Sequence, residues 1–309
     1  MEDRAQHLVE SARRALLRGD PTVAVSLLSE ALSMDPSNAM GHALLSTALL
    51  RMKRPYGALV EARTAIELDP ECPFAHASMG FILLLEKNPR AAKEHFETAL
   101  ALDPSSTDAL RGLATVAGAM GDARGELEFL ERARGLDPEN VTVLVDLASA
   151  HLELGRHALA REIVDAALEI DPADRGALVV KGHLLLRSGD LAGAREHCVW
   201  ALRQDASSHG ALWLLAAIKA RESVWIGAWF RVNAWIIERE ASASTVLLVG
   251  SFLVVNLLRL VLQDLEYPVA ALVVHYVWLA ACRYSYAGPA LFQRMVQKEI
   301  DKVQLDPNF

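Results

Sequence analysis

The sequence predicts an all-α solenoid of six stacked helix-turn-helix units, and two observations carry that expectation. The first is a recurring sign: Met34-Asp35-Pro36, Leu68-Asp69-Pro70, Leu102-Asp103-Pro104, Leu136-Asp137-Pro138 and Ile170-Asp171-Pro172 place five prolines at one constant interval of thirty-four, without insertion or deletion. Gln204-Asp205-Ala206 keeps the register and loses the proline. An interval held that strictly makes each block one structural unit stacked on its neighbour, because a single inserted residue would rotate every later contact. The second is a stripe of small residues inside each block. Five places before each proline or its equivalent stand Ala31, Ala65, Ala99, Ala133, Ala167 and Ala201, and twelve places before stand Ala24, Ala58, Ala92, Glu126, Ala160 and Ala194.

Each element follows from these positions. Eight places back lie Leu28, Ala62, Phe96, Leu130, Val164 and Cys198, so the three positions share one narrow helical stripe, where alanine lets a neighbouring helix approach closely. Another small residue, Ala12, Ser46, Gly80, Ala114, Ala148 or Gly182, recurs twenty-four places back, on a preceding helix. Between the two helices stand turn signals: Gly19-Asp20-Pro21, Lys53-Arg54-Pro55, Asn88-Pro89, Gly121-Asp122, Gly155-Arg156 and Gly189-Asp190. Glycine takes the left-handed cap that ends one helix, Asp or Asn caps the start of the next, and proline suits its first turn.

This pattern resembles the tetratricopeptide repeat family, over roughly residues 5 to 208 as six repeats. The early aromatic places of the family are mostly aliphatic or histidine here, as at His42, Leu49, His76 and Leu83. The resemblance implies a solenoid whose first helices line a concave groove for a peptide or helix. On that basis the groove residues are Val9, Arg13, Met40, Ala43, Thr47, Phe74, Ala77, Phe81, Arg111, Thr115, Val145, Ser149, Val179 and His183. The Lys and Asn pattern by which some relatives hold a chaperone's terminal carboxylate is absent.

Composition sets the wider frame. A mean hydropathy of +0.19 with 52% hydrophobic residues is too apolar for an ordinary solenoid in water. Beyond residue 222 there are seven basic and seven acidic residues, so the net charge of −8 belongs to residues 1–222, where 24 basic side chains face 32 acidic ones. An acidic solenoid repels phosphate backbones, which argues against nucleic acid as partner. Cys72, Cys198 and Cys282 are odd in number and lack ligand spacing, so no disulfide framework, metal site or cofactor is expected, and a reducing compartment is. Residues 1–16 carry no apolar core of a signal peptide.

The apolar excess lies at the end of the chain. Residues 209–221 read as a seventh first helix with no second helix behind it, a solvating cap that closes a domain of residues 5–222. In residues 223–241, Trp225, Trp229, Val232 and Ile236 share one face opposite Arg231, the pattern of an interfacial helix. Residues 242–286 read as a transmembrane helical hairpin: Ser244 to Leu262 is one long apolar run and Tyr267 to Cys282 a second, slightly shorter one, joined by Gln263-Asp264-Leu265-Glu266. A buried Arg near mid-span costs about 2.5 to 3.5 kcal/mol, but Arg259 lies near the end of its run and reaches Asp264 and Glu266 by snorkelling. Asn256 and His275 are polar groups inside the runs, read as contacts between the two helices. Arg221, Arg231 and Arg239 before the hairpin and Arg283, Arg294, Lys298 and Lys302 after it place both termini in the cytoplasm, with two spans. Residues 287–309 form an amphipathic cytoplasmic tail whose apolar side, Phe292, Met295, Val296, Ile300 and Val303, completes a lipid contact running over residues 223–303.

No phosphate loop, metalloprotease motif or nucleophile elbow is present, so neither catalysis nor a small-molecule substrate is expected. His42 and His76 stand one repeat apart at equivalent places and read as packing rather than metal ligands. The function expected is a scaffold tethered to the cytoplasmic face of the cell membrane, binding a protein or peptide in its groove. The alternative is an accessory subunit of a membrane enzyme or export complex that makes its contact through the hairpin.

Overall fold

The computed structural model describes residues 2–206 and 208–222, Arg231, residues 252, 254–262, 264, 267, 269–270, 272–274, 276 and 278, and residues 292–300. The helices are α1 (Glu2–Leu17), α2 (Pro21–Met34), α3 (Ala39–Arg51), α4 (Pro55–Leu68), α5 (Pro73–Leu85), α6 (Pro89–Leu102), α7 (Thr107–Ala119), α8 (Ala123–Leu136), α9 (Val141–Glu153), α10 (His157–Ile170), α11 (Arg175–Ser188), α12 (Leu191–Gln204) and α13 (His209–Glu222). There is no strand among the described residues, and each repeat block is a helix pair, as expected. The chain divides into two compact units, Met1–Ile163 and Val164–Phe309, with the division inside α10.

The turns show why the period is so strict. A left-handed backbone recurs at Gly19, Lys53, Lys87, Gly121, Gly155 and Gly189, once in each block and always at the same interval. Glycine adopts φ near +80° without a Cβ clash, whereas Lys53 (φ 58°) and Lys87 (φ 59°) hold it against their preference. In the next position the side chains of Asn88, Asp122 and Asp190 accept hydrogen bonds from the amides of Ala91, Gly125 and Gly193, satisfying helix-start donors. The aspartate of the Asp-Pro sign has its own role. Asp35, Asp69, Asp103 and Asp171 accept from the amide two residues on at 2.9–3.2 Å, an Asx turn that folds the chain into the next block. Asn38, Ser106, Asn140 and Asp174 then cap the following first helix.

In the first unit the small-residue stripe is the contact surface. Ala24, Leu28 and Ala31 of α2, Ala58, Ala62 and Ala65 of α4, and Ala92, Phe96 and Ala99 of α6 are all fully buried. First helices touch one another, α1 with α3, α3 with α5, α5 with α7 and α7 with α9, while no two second helices are in comparable contact among the described residues. The first helices therefore form the inner side of this unit. Phe96 is far larger than the alanine or leucine at its equivalents, and glycine makes its room: a Cβ on Gly80 or Gly112 would stand 2.6 or 2.2 Å from its ring. Glu126, the exception in the alanine column, directs its carboxyl toward Gly118, and burial pushes that carboxyl above its usual range.

The second unit has a core closed from afar. Leu178 of α11, Cys198 and Leu202 of α12, and Leu212 and Leu215 of α13 pack in one cluster with Phe292, Val296 and Ile300. Burial pushes the Cys198 thiol up to about 12, and its Sγ donates to the Ala211 carbonyl at 3.2 Å, so it is an unreactive packing group; Cys72 is likewise buried and raised. Lys181, also at an expected apolar place, pairs with Asp165.

Candidate functional site

The expected groove residues of the first unit split into two groups. Val9, Ala43 and Ala77 are buried and belong to the helix packing, which corrects their assignment to the groove surface. Arg13, Met40 and Thr115 are exposed, and Thr47, Phe74, Phe81, Arg111, Val145 and Ser149 are half-buried. Several of these are already engaged. The Phe81 ring meets Phe96 edge-on, with centroids 5.0 Å apart, and carries the Arg111 guanidinium 5.9 Å above its centroid. Arg111 also donates to Asp146 at 2.9 Å and Asp108 at 3.3 Å, tying α7 to α9. Phe74 packs against the clusters of both its neighbours, and the Thr47 hydroxyl shares a 3.0 Å hydrogen bond with buried Ser78. The two phenylalanines therefore lock repeats together, while Met40 and Thr115 are exposed.

Histidine does its work between the helices of one repeat. His42 Nδ1 lies 2.6 Å from Glu61 and its Nε2 3.1 Å from the Pro36 carbonyl. One repeat later His76 Nδ1 lies 3.1 Å from His95 Nδ1 and its Nε2 3.0 Å from the Pro70 carbonyl. Each clips a first helix to its second helix and to the preceding turn, the packing role their spacing implied. Burial lowers the His95 pKa, and the adjacent His76 lowers it further. No group of three metal-binding side chains occurs among the described residues.

In the second unit Val179 is half-buried, and a Cβ on Gly210 would lie 3.2 Å from it, so α11 and α13 run close there. His183, its pKa lowered by burial and by Arg187, lines a cavity of about 330 Å³ together with Trp213 and Arg221. The face behind α13 is covered by residues 292–300. Phe292 is 1% exposed, Arg203 of α12 donates to the Ile300 carbonyl at 3.3 Å, and Lys219 of α13 pairs with Glu299 at 2.9 Å. Lys219 also holds Glu222, which pairs with Arg195 of α12, so alternating charges run from α12 through α13 to the returning segment. This segment therefore packs on both α12 and α13. Two expectations are thereby corrected: α13 is not left as a bare cap, and the apolar side of the tail meets protein rather than lipid. Its pattern was read correctly as amphipathic; spacing alone does not say which apolar surface covers it.

Between these contacts the chain makes an excursion. The expected interfacial helix of residues 223–241 lies outside the described residues apart from Arg231, as do His275 and residues 244–251 and 279–286 of the expected hairpin. The described part is helical at 252 and 254–262 and again at 269–270, 272–274, 276 and 278. Phe252 and Trp278 bring the two stretches together, with ring centroids 5.3 Å apart. Val254, Leu257, Leu258, Leu260 and Val261 are exposed on one broad arc, while Val255, Asn256, Arg259 and Leu262 on the other arc are half-buried. Val269, Leu272, Val273 and Tyr276 are exposed likewise, opposite half-buried Ala270, Val274 and Trp278. The Asn256 side chain donates to the Phe252 carbonyl of its own helix at 2.8 Å. Among the described residues no helix is long and apolar enough to cross a membrane.

Residues 117–181 match a family model described as tetratricopeptide repeat. No curated protein matches the chain. Among solved structures, a thermophilic TPR protein of Thermus thermophilus is 19% identical, over 59% of this chain and 99% of that one, with a TM-score of 0.53. PilW, a type IV pilus biogenesis factor, is 17% identical over 68% and 98%, with a TM-score of 0.51. The Cut9–Hcn1 hetero-tetramer of the APC/C gives 17% identity over 70% of this chain and 43% of that one, with a TM-score of 0.57. These likenesses are of fold alone. Repeat spacing and helix pairing agree with the tetratricopeptide-repeat match over residues 117–181 and with the fold of these solved structures.

Proposed function

We propose that this protein is an interaction scaffold held at the cytoplasmic face of a membrane, binding a peptide or helix on the inner side of its first helices. One observation carries the tether: the described residues of 252–278 have their apolar side chains outside and Asn256 and Arg259 on the half-buried arc. That is the reverse of a helix in water and the arrangement lipid favours. Leaving the eleven exposed large apolar residues there in water would forgo about 1 kcal/mol or more each, comparable to the whole net stability of a domain at roughly 5–15 kcal/mol. The return of residues 292–300 to α12 and α13 supports a hairpin with both flanks on the solenoid's side.

The scaffold half rests on the fold and on what the inner side presents. Met40 and Thr115 are exposed there, and half-buried Val145 and Ser149 line α9. Solenoids of this kind bind ligands along such a surface. The test uses the full chain in membranes, comparing a Met40→Glu/Thr115→Glu variant with a Leu257→Lys/Leu260→Lys variant. Loss of a cross-linked partner in the first, with the chain still resistant to carbonate extraction, is the expected result. A partner kept in the first and lost in the second would instead favour the accessory-subunit reading, with the hairpin as contact.

A further inference from the structure

The first unit, Met1–Ile163, is charged differently along its two edges. Consecutive helices pair through short turns and run antiparallel, so every turn from a first to a second helix falls on one edge and every Asp-Pro turn on the other. Helices of 13 or 14 residues set these edges about 20 Å apart. On the Asp-Pro edge, residues 34–38, 68–72, 102–106 and 136–140 carry six acidic side chains and no Lys or Arg. On the other, residues 18–22, 52–56, 86–90, 120–124 and 154–158 carry seven Lys and Arg against three acids. The solenoid is acidic as a whole, yet in this unit one edge is basic, and such segregation orients a molecule in front of a charged surface.

The side chains between the charges say which surface. Arg18, Arg54, Lys87, Arg90, Arg124 and Arg156 are all exposed on the basic edge. Among them stand Tyr56, Leu85, Met120 and Leu154, exposed by 82%, 60%, 57% and 42%. Repeat packing does not call for these apolar groups. The places equivalent to Tyr56 hold Thr22, Arg90, Arg124 and Ala158, and those equivalent to Leu85 include Arg51 and Glu153. They stand at the ends of helix pairs rather than between helices, where a broad surface reaches them more readily than an extended peptide seeking a groove. Guanidinium and ammonium groups there meet phosphates, while tyrosine, leucine and methionine reach the boundary of headgroup and acyl chain. A nucleic acid supplies the phosphates and has no aliphatic layer to receive Leu85, Met120 and Leu154.

We infer that this edge docks on the surface of an anionic lipid bilayer, its basic side chains on the headgroups and its apolar ones just beneath them. The inference rests on the membrane reading above, because a tether keeps the unit within reach of lipid and makes a weak contact effective. The Asp-Pro edge is then turned away from the bilayer, and the inner side of the first helices stays open to a partner arriving along the membrane.

The test uses the full chain without its native cysteines, bearing one fluorophore at Ala158→Cys on the basic edge or at Ala101→Cys near the Asp-Pro edge, both exposed positions. It is reconstituted into vesicles of phosphatidylcholine, alone or mixed with phosphatidylglycerol, that contain a lipid spin-labelled near its headgroup as quencher. With phosphatidylglycerol, quenching at 158 and not at 101 is expected, and raised salt should reverse it; with phosphatidylcholine alone neither label should be quenched. Lys87→Gln/Arg90→Gln/Arg124→Gln should lower the ratio of docked to free chains on the order of a hundredfold, about fivefold for each charge. Equal quenching of both labels, quenching indifferent to lipid charge, or a triple variant that docks like the parent would each overturn the inference. Loss of the quenching at 158 on adding a single-stranded oligonucleotide, at phosphate equal to the lipid's, would assign the edge to nucleic acid instead. An unchanged circular-dichroism melt shows that the variants fold. Flotation separates the two claims: a chain that floats with phosphatidylcholine but is never quenched at 158 keeps the tether and loses the docked edge, whereas one that floats only with phosphatidylglycerol keeps the edge and loses the tether.

Discussion

The two compact units solve the same problem with different reach. In the first, every buried stripe is satisfied by its own repeat or the next, so Ala58, Ala62 and Ala65 of α4 find their partners within one period. In the second, α12 and α13 are completed by Phe292, Val296, Glu299 and Ile300; the Arg203 to Ile300 contact spans 97 residues. A repeat array can thus be ended by its own chain returning after an excursion. The excursion is then tied to the second unit at both ends.

The largest effects should fall where the return is broken. Phe292→Ala empties a fully buried site and should cost about 3–5 kcal/mol. Lys219→Met removes a cation from beside buried Glu299 and should cost about 3 kcal/mol, whereas Lys219→Met/Glu299→Leu should recover most of that, because an apolar pair replaces a desolvated ionic one at little net loss. All six tryptophans lie beyond residue 163, so urea unfolding followed by tryptophan fluorescence reads the second unit selectively. A double variant no better than the single one would mean the ion pair has no part in holding the return.

Within the first unit the corresponding test is Gly112→Ala. Its methyl would collide with the Phe96 ring, so a loss of about 1–3 kcal/mol is expected, and Phe96→Leu in the same chain should relieve it. Circular dichroism should register that loss while tryptophan fluorescence unfolds at an unchanged urea concentration. A shift in both signals would show that the two units melt as one.

A third contrast is in alkali. The Cys198 thiol is raised in the folded chain, so the unfolded chain releases its proton first, at about pH 8.5. Stability from this group is whole below that pH and falls as pH rises toward about 12, by roughly 1.4 kcal/mol per pH unit. Cys198→Ala should flatten the pH dependence of the tryptophan signal over that window. An equally steep wild-type and variant profile would assign the alkaline loss to other groups.

The smallest effect is a gain. Lys53→Gly and Lys87→Gly should each stabilise by about 0.5–1 kcal/mol, because glycine fills the same left-handed place in the other four blocks at no steric cost. A loss in the melting temperature would mean that the lysine side chains repay the strain through contacts of their own.

These contrasts also explain what the sequence could disclose. The period, the helix pairs and the alanine stripes were legible because each depends on residues within a single repeat length, and the structure buries Ala31, Ala65, Ala99, Ala133, Ala167 and Ala201 alike. The groove was legible only as a face. Position on a first helix does not reveal that Val9, Ala43 and Ala77 fall under a neighbour, or that Phe81 is held between Phe96 and Arg111. The cap residues Asn38, Ser106, Asn140 and Asp174 carried a signal that spacing from Asp-Pro could have found. Residues 292–300 were recognisable as amphipathic, but no local pattern names a partner so far back along the chain. Glu299, on the same segment, is the buried partner of Lys219.

The central claim is that the chain leaves the solenoid, crosses a membrane and returns to complete it. Asp264 lies exposed between the two helical stretches, and it is the residue to label. In a cysteine-free chain carrying Asp264→Cys, a membrane-impermeant maleimide should modify the new thiol only from the side of the vesicle opposite the solenoid. Modification from the solenoid's side, or recovery of the labelled chain in the supernatant after carbonate, would contradict the crossing.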